Sequence, residues 1–142
     1  LVMGLLLGLM MPASVYASEP EGKSVLVQHL TQEEFMAKVF NYKEDSNLTY
    51  LGDLPAIVDF YADWCVPCQR LAPVLEELAK EYEGRIVIYK VNTDQQRQLA
   101  VDFGIQALPT MLFIPVKGEP QVQKGSMPKK NLKQLIETIL LK

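Results

Sequence analysis

Histidine is almost absent from the chain, which carries only His29, and its two cysteines are Cys65 and Cys68. A zinc site built on that pair would need two further ligands, and only one imidazole is available, so the residue set argues against a metal centre. No glycine-rich dinucleotide fingerprint occurs, and no organic cofactor is expected. Basic runs are missing too. With 14 Lys+Arg against 17 Asp+Glu and a formal net charge of −3, nothing favours nucleic acid, whose binding would rest on neutralised phosphates. No internal repeat or low-complexity stretch is visible, and no apolar run reaches the roughly 20 residues that cross a bilayer as a helix. A chain of 142 residues can build a single core without a disulfide staple or a structural metal. The two cysteines are therefore free for chemistry.

What is present begins with an uncharged leader. Residues 1–18 carry no charge; Leu1 to Met11 is almost wholly apolar, and after Pro12 the triplet Val15-Tyr16-Ala17 puts aliphatic or small residues three and one before the Ala17/Ser18 bond. Residues 1–17 thus read as a secretory signal. No Lys or Arg precedes the apolar core and residue 1 is Leu, so a truncated signal, an uncleaved anchor and a buried N-terminal element stay open. Export would place the domain of residues 18–142 in the periplasm or otherwise outside the cytoplasm, where disulfides persist.

From Ser24 onward the apolar period switches between two and 3.6. Val25-Leu26-Val27 reads as a short strand. Thr31 with Glu34 is a capping-box pair, followed at helical spacing by Phe35, Val39 and Phe40. Residues 41–53 have no sustained period and read as a long loop. Ala56 to Tyr61 predicts a buried strand. Leu71, Val74, Leu75, Leu78, Ala79 and Tyr82 form one helical stripe ended by Gly84. Ile86 to Val91 predicts a strand, Gln95 to Phe103 a short helix and Met111 to Ile114 a strand. A last strand around Val122 precedes a helix with Leu132, Leu135, Ile136, Ile139 and Leu140 on one face. Strands interleaved with helices imply an α/β layout with both sheet faces covered.

The two cysteines fall in Trp64-Cys65-Val66-Pro67-Cys68, at the junction of a strand and a helix. That places Cys65 at or next to the helix N-cap, where unpaired N–H groups and the positive end of the helix dipole favour a thiolate. Its pKa should fall below the ~8.5 of a free thiol. Pro67 fits the first turn, where its missing N–H is not needed. Sulfurs at i and i+3 are neighbours on a helix, so Cys68 can attack a bond made by Cys65. An exposed, acidic thiol to open a disulfide and a sheltered one to resolve the mixed disulfide are what thiol–disulfide exchange requires. A purely structural disulfide across so small a loop would remove little unfolded-state entropy. It stays open as a weaker reading, as do a metal site and two ordinary buried cysteines.

The chain resembles the thioredoxin family. Besides the C-V-P-C centre, the resemblance is carried by Val58-Asp59-Phe60-Tyr61-Ala62-Asp63-Trp64, Ala72-Pro73, Phe103-Gly104-Ile105, Ala107-Leu108-Pro109-Thr110 and Gly125. It implies the thioredoxin fold, a central mixed β-sheet with helices on both faces. It also implies that Asp59 exchanges a proton with Cys68, that Lys90 lies near Asp59, and that Pro109 is cis. Trp64, Ala107, Leu108, Pro109 and Gly125 would then border a shallow apolar substrate groove. From the residues alone Lys90 reads as a surface lysine with its ammonium in water, and His29 as a strand-end residue. Pro73, inside the stripe, should kink its helix. Three departures from the family stand out: Val66 occupies a usual glycine position, the loop 41–53 is longer than the usual connection, and the apparent leader is foreign to the cytosolic members.

The implied activity is reduction of protein disulfides, with Cys65 attacking and Cys68 resolving. The implied partners are disulfide-containing proteins and an upstream thiol electron donor, for a monomeric enzyme. A thiol oxidase or disulfide isomerase running the same chemistry in reverse, and a non-catalytic binding module of the same fold, are the rival readings.

Overall fold

In the computed structural model, which describes residues 25–142, backbone pairing begins at β1, Val27–His29. The expected leader and its Ala17/Ser18 bond lie outside the described residues. β1 starts two residues later than its apolar triplet suggests, because pairing to a neighbouring strand at Val27, Gln28 and His29 defines it, while Val25 is solvent-exposed. Helix α1, Gln32–Lys38, opens with the expected capping box: the Glu34 N–H donates to Thr31 Oγ1 at 3.2 Å, and the Thr31 N–H donates to Glu34 Oε2 at 2.9 Å. Residues 41–53 contain neither helix nor strand. They are tied down by a 3.0 Å bond from the Leu51 N–H to the Val39 carbonyl and by Tyr42, whose hydroxyl donates to Asp102 Oδ2 at 2.8 Å.

Strand β2, Ala56–Tyr61, matches the predicted run and is buried at all six positions. Helix α2 runs Val66–Glu81 with Pro73 inside it, and the chain leaves it through Gly84 at a positive φ of 78°, a conformation suited to glycine. Strand β3, Val87–Asn92, helix α3, Arg97–Asp102, and strands β4, Thr110–Ile114, and β5, Gln121–Lys124, follow. Helix α4, Lys129–Leu135, passes into a single π-helical turn, Ile136–Leu140, where the sequence suggests one uninterrupted α-helix. The shift keeps Leu132, Ile136 and Leu140 buried and leaves Leu135 and Ile139 only partly so.

The sheet order is β1-β3-β2-β4-β5. β1, β3 and β2 are parallel; β4 is antiparallel to β2, and β5 to β4. Alternation along β2 sends Ile57 to one face, against Leu71, Leu75, Leu132 and Ile136 of α2, α4 and the π turn. Ala56, Val58 and Phe60 face the other side, against Phe35, Phe40 and Leu99 beside α1 and α3. The architecture is α/β, a mixed five-stranded sheet with helices on both faces. Its parallel strands β2 and β3 end where α2 and α3 are about to begin. Open α/β sheets place their reactive groups at this carboxyl edge.

Candidate functional site

Strand β2 delivers the chain through Ala62, Asp63 and Trp64 to the start of α2. Cys65 is the N-cap, in an extended conformation with φ −78° and ψ 108°, and Val66-Pro67-Cys68 make the first helical turn. Pro67 removes no needed donor there. The Cys68 N–H donates to Cys65 Sγ at 3.3 Å, and the two cysteines form a disulfide with their Cα atoms 5.2 Å apart. A backbone donor aimed at that sulfur in the disulfide is placed to hold a thiolate once the bond opens, with the dipole of a 16-residue helix behind it. In the oxidised pair Cys65 is 4% exposed and Cys68 2%, packed beside Tyr61, Ala62 and Leu108.

Asp59 lies on the sheet face that α2 covers, two residues before Tyr61 on the same side of the strand. It is wholly buried, and neither carboxylate oxygen has a hydrogen-bond partner. Burial pushes its pKa up to about 7, opposed in part by the nearby Lys90 charge. Lys90 is its register partner on β3. The surface reading of Lys90 is overturned: it is only 8% exposed, because β3 is an interior strand between β1 and β2, and its Nζ sits 4.2 Å from the centroid of the Tyr61 ring. The ring face holds the ammonium, so Lys90 lies close enough to bias Asp59 without forming an ion pair with it. The Tyr61 hydroxyl in turn lies 3.1 Å from Nδ1 of His29, the last residue of β1. A small cavity of about 140 Å³ joins Tyr61, Cys68 and Lys90 on this side.

On the solvent side, Cys65 lines a cleft of about 560 Å³ together with Trp64, Val66, Pro67, Thr93, Ile105, Gln106 and Leu108. Trp64 is 69% exposed, and its indole N–H donates to Asp94 Oδ2 at 2.8 Å. The Leu108–Pro109 bond is cis. Pro109 is buried, and its carbonyl accepts the Gly125 N–H at 2.8 Å; Ala107 is exposed and its carbonyl accepts the Thr110 hydroxyl at 2.6 Å. Ala107, Pro109 and Gly125 are not among the residues that line the cleft, although Ala107 and Pro109 flank its Leu108 in the chain. Thr93, Gln106 and Ile105 do line it and were not singled out from the sequence as site residues, although Ile105 belongs to one of the motifs quoted above. Their signal lay in position, at the carboxyl end of β3 and just beyond α3. Among the described residues no group of three or more His, Cys, Asp or Glu is placed to hold a metal ion.

The thioredoxin family model matches residues 26–138. Thioredoxin of Borreliella burgdorferi is 47% identical over 108 residues, which are 76% of this chain and 92% of that protein. Thioredoxin 1 of Nostoc sp. is 42% identical over 86 residues, 61% of this chain and 80% of that one. A crystal structure of chloroplastic thioredoxin z superposes with a TM-score of 0.69 at 28% identity, covering 81% of this chain and 95% of that chain.

Because the folded-state pKa of Asp59 lies above its unfolded value of ~3.9, the stability this carboxyl contributes is fully present below about pH 4 and is lost as pH rises through about 7. Asp59→Ala removes that dependence. Between pH 4 and pH 8 the unsubstituted oxidised protein should lose stability relative to Asp59→Ala by something on the order of 4 kcal/mol, read from urea midpoints. Parallel pH profiles for the two proteins would refute the assignment.

Proposed function

The chain belongs to the thioredoxin family and is a thiol–disulfide oxidoreductase, and from that premise we propose that it reduces protein disulfides through the Cys65-Val66-Pro67-Cys68 centre. The observation that carries the reading is the placement of Cys65 as N-cap of α2, bonded to Cys68 one turn in. In the reduced protein the Cys65 thiolate attacks one sulfur of a substrate disulfide. A mixed disulfide forms, and the substrate's other sulfur leaves as a thiolate. The Cys68 thiol then gives its proton to the Asp59 carboxylate and attacks Cys65 Sγ. The second substrate sulfur leaves, two electrons have passed to the substrate, and the Cys65–Cys68 disulfide remains. An upstream dithiol donor returns the two electrons.

Asp59 suits this step because a carboxyl with a pKa near 7 can take and return a proton at neutral pH. Lys90 acts through Asp59 by keeping part of it ionised. Trp64, Val66, Ile105, Gln106 and Leu108 meet the substrate around the reacting sulfur, next to Pro109, whose carbonyl accepts the Gly125 N–H. We propose further that the domain works outside the cytoplasm, in the periplasm or an equivalent compartment. The support for this is the uncharged apolar segment 1–17 with its Val15-Tyr16-Ala17 ending.

Three measurements test these readings. With a disulfide-bonded protein substrate, Cys65→Ser should abolish reduction, while Cys68→Ser should accumulate a mixed disulfide visible on a non-reducing gel; equal activity in all three proteins would reject the mechanism. Equilibration with glutathione should give a reduction potential at or below the glutathione poise. A value well above it would reassign the enzyme as an oxidase or isomerase. Expressed with its leader, the protein should appear in the periplasmic fraction with Ser18 as its first residue, and an intact leader on cytoplasmic protein would overturn export.

A further inference from the structure

The sheet face carrying Val58, Phe60 and Leu112 is covered by α1, α3 and the segment 41–53, and the cover falls short over β5, which is largely exposed beside the buried β4. A second cleft of about 540 Å³ opens there, its apolar wall made by Phe40, Leu48, Phe103, Ile105, Leu112 and Val122. Ile105 and Gln106 line both this cleft and the one at Cys65. The two clefts thus adjoin at the turn after α3, where Gly104 adopts a φ of 63°.

Leu48 lines the second cleft and comes from the part of the chain that is longer than the resemblance implies. It is exposed, with a positive φ of 52° that a leucine rarely adopts. Asp45 secures it from both sides, accepting the Asn47 N–H on Oδ1 at 2.9 Å and the Thr49 N–H on Oδ2 at 3.0 Å. An unfavourable backbone conformation is held in place while its apolar side chain stays at the cleft. On the opposite wall Val122 is 53% exposed, on an edge strand otherwise made of Gln and Lys.

We propose that this second cleft is a side-chain subsite for the substrate polypeptide. The segment that reacts at Cys65 continues across Ile105 and seats a large aliphatic or aromatic side chain, a few residues from its reacting cysteine, between Leu48, Phe103 and Val122. The inference rests on the oxidoreductase reading. A substrate sulfur joined to Cys65 must lie in the first cleft, and a chain leaving over Ile105 and Gln106 meets apolar surface that would otherwise stay wet. Burying one large side chain there should favour an apolar-bearing substrate over a polar one by about tenfold or more.

The test uses disulfide-linked peptides that differ only by Leu or Ser at one position, scanned from two to six residues beyond the cysteine, and 5,5′-dithiobis(2-nitrobenzoate) as a small disulfide with no chain to seat. At one offset the reduced full chain should act on the Leu peptide with a kcat/KM about tenfold above that on the Ser peptide. Leu48→Asn, which suits the positive φ and keeps the loop in place, should remove most of that preference through KM and leave the small-disulfide rate unchanged. Leu48→Met should retain the preference. Equal kcat/KM for Leu and Ser peptides at every offset, or an equal loss on peptide and small disulfide in Leu48→Asn, would overturn the subsite. A dimer in sedimentation that Leu48→Asn dissolves would overturn it as well and give the cleft to a second copy. Absence of any reaction with the small disulfide would instead bring down the oxidoreductase reading itself.

Discussion

The central position of β2 is the constraint on which the site depends. All six of its residues are buried, because neighbouring strands pair along both edges and helices pack on both faces. A strand so enclosed has no freedom to slip, since a shift of one residue would turn Val58 and Phe60 out of one core cluster and Ile57 out of the other. The register therefore fixes where the strand stops and α2 begins, which makes Cys65 the N-cap and Cys68 the end of the first turn. The same register leaves Asp59 inside the sheet with no hydrogen-bond partner. A carboxyl in such a place destabilises the fold at neutral pH, and conflicts of this kind between local chemistry and a buried setting collect at functional sites.

Two sources of positive potential act on the site from different sides, and they do not compete. The N-terminal N–H groups of α2 act on the sulfur of Cys65. Lys90 acts on Asp59 from the adjacent strand, its ammonium over the Tyr61 ring, and opposes only part of the effect of burial. A direct ion pair would hold the carboxyl ionised, well below the neutral range. An apolar neighbour in place of Lys90 would leave burial unopposed. With its ammonium over the ring, Lys90 favours the carboxylate form of Asp59 without forming a hydrogen-bonded ion pair with it. The proposed proton acceptor for a neutral-pH step suits that intermediate setting.

The fold was legible in the sequence wherever a local pattern and its tertiary setting agreed. Ala56–Tyr61 is β-branched and aromatic throughout apart from Ala56 and Asp59, and it is the strand observed. Thr31 and Glu34 satisfy each other's backbone within one turn, so no distant contact is needed to read that cap. The errors came where a distant partner decides. β1 is set by its ladder to β3 rather than by its own apolar triplet. The π turn at Ile136–Leu140 adjusts which side chains reach the sheet, and Lys90 is buried by strands on both sides of its own.

The candidate site divides along the same line. Its chemical part, Asp59 to Cys68, is ten consecutive residues, so spacing along the chain is already spacing in the site, and the strand-to-helix junction could be read directly. The proposed recognition surface is assembled from Trp64 and Val66, from Thr93 after β3, from Ile105, Gln106 and Leu108 after α3, and in the second cleft from Leu48 and Val122. No periodicity links these positions, because what they share is the carboxyl edge of the sheet and the gap over β5. A loop such as 41–53 looks featureless in sequence for the same reason. Its order comes from Asp45 accepting two nearby N–H groups and from Tyr42 reaching α3, and the side chain it presents belongs to a surface whose other wall lies more than fifty residues away along the chain.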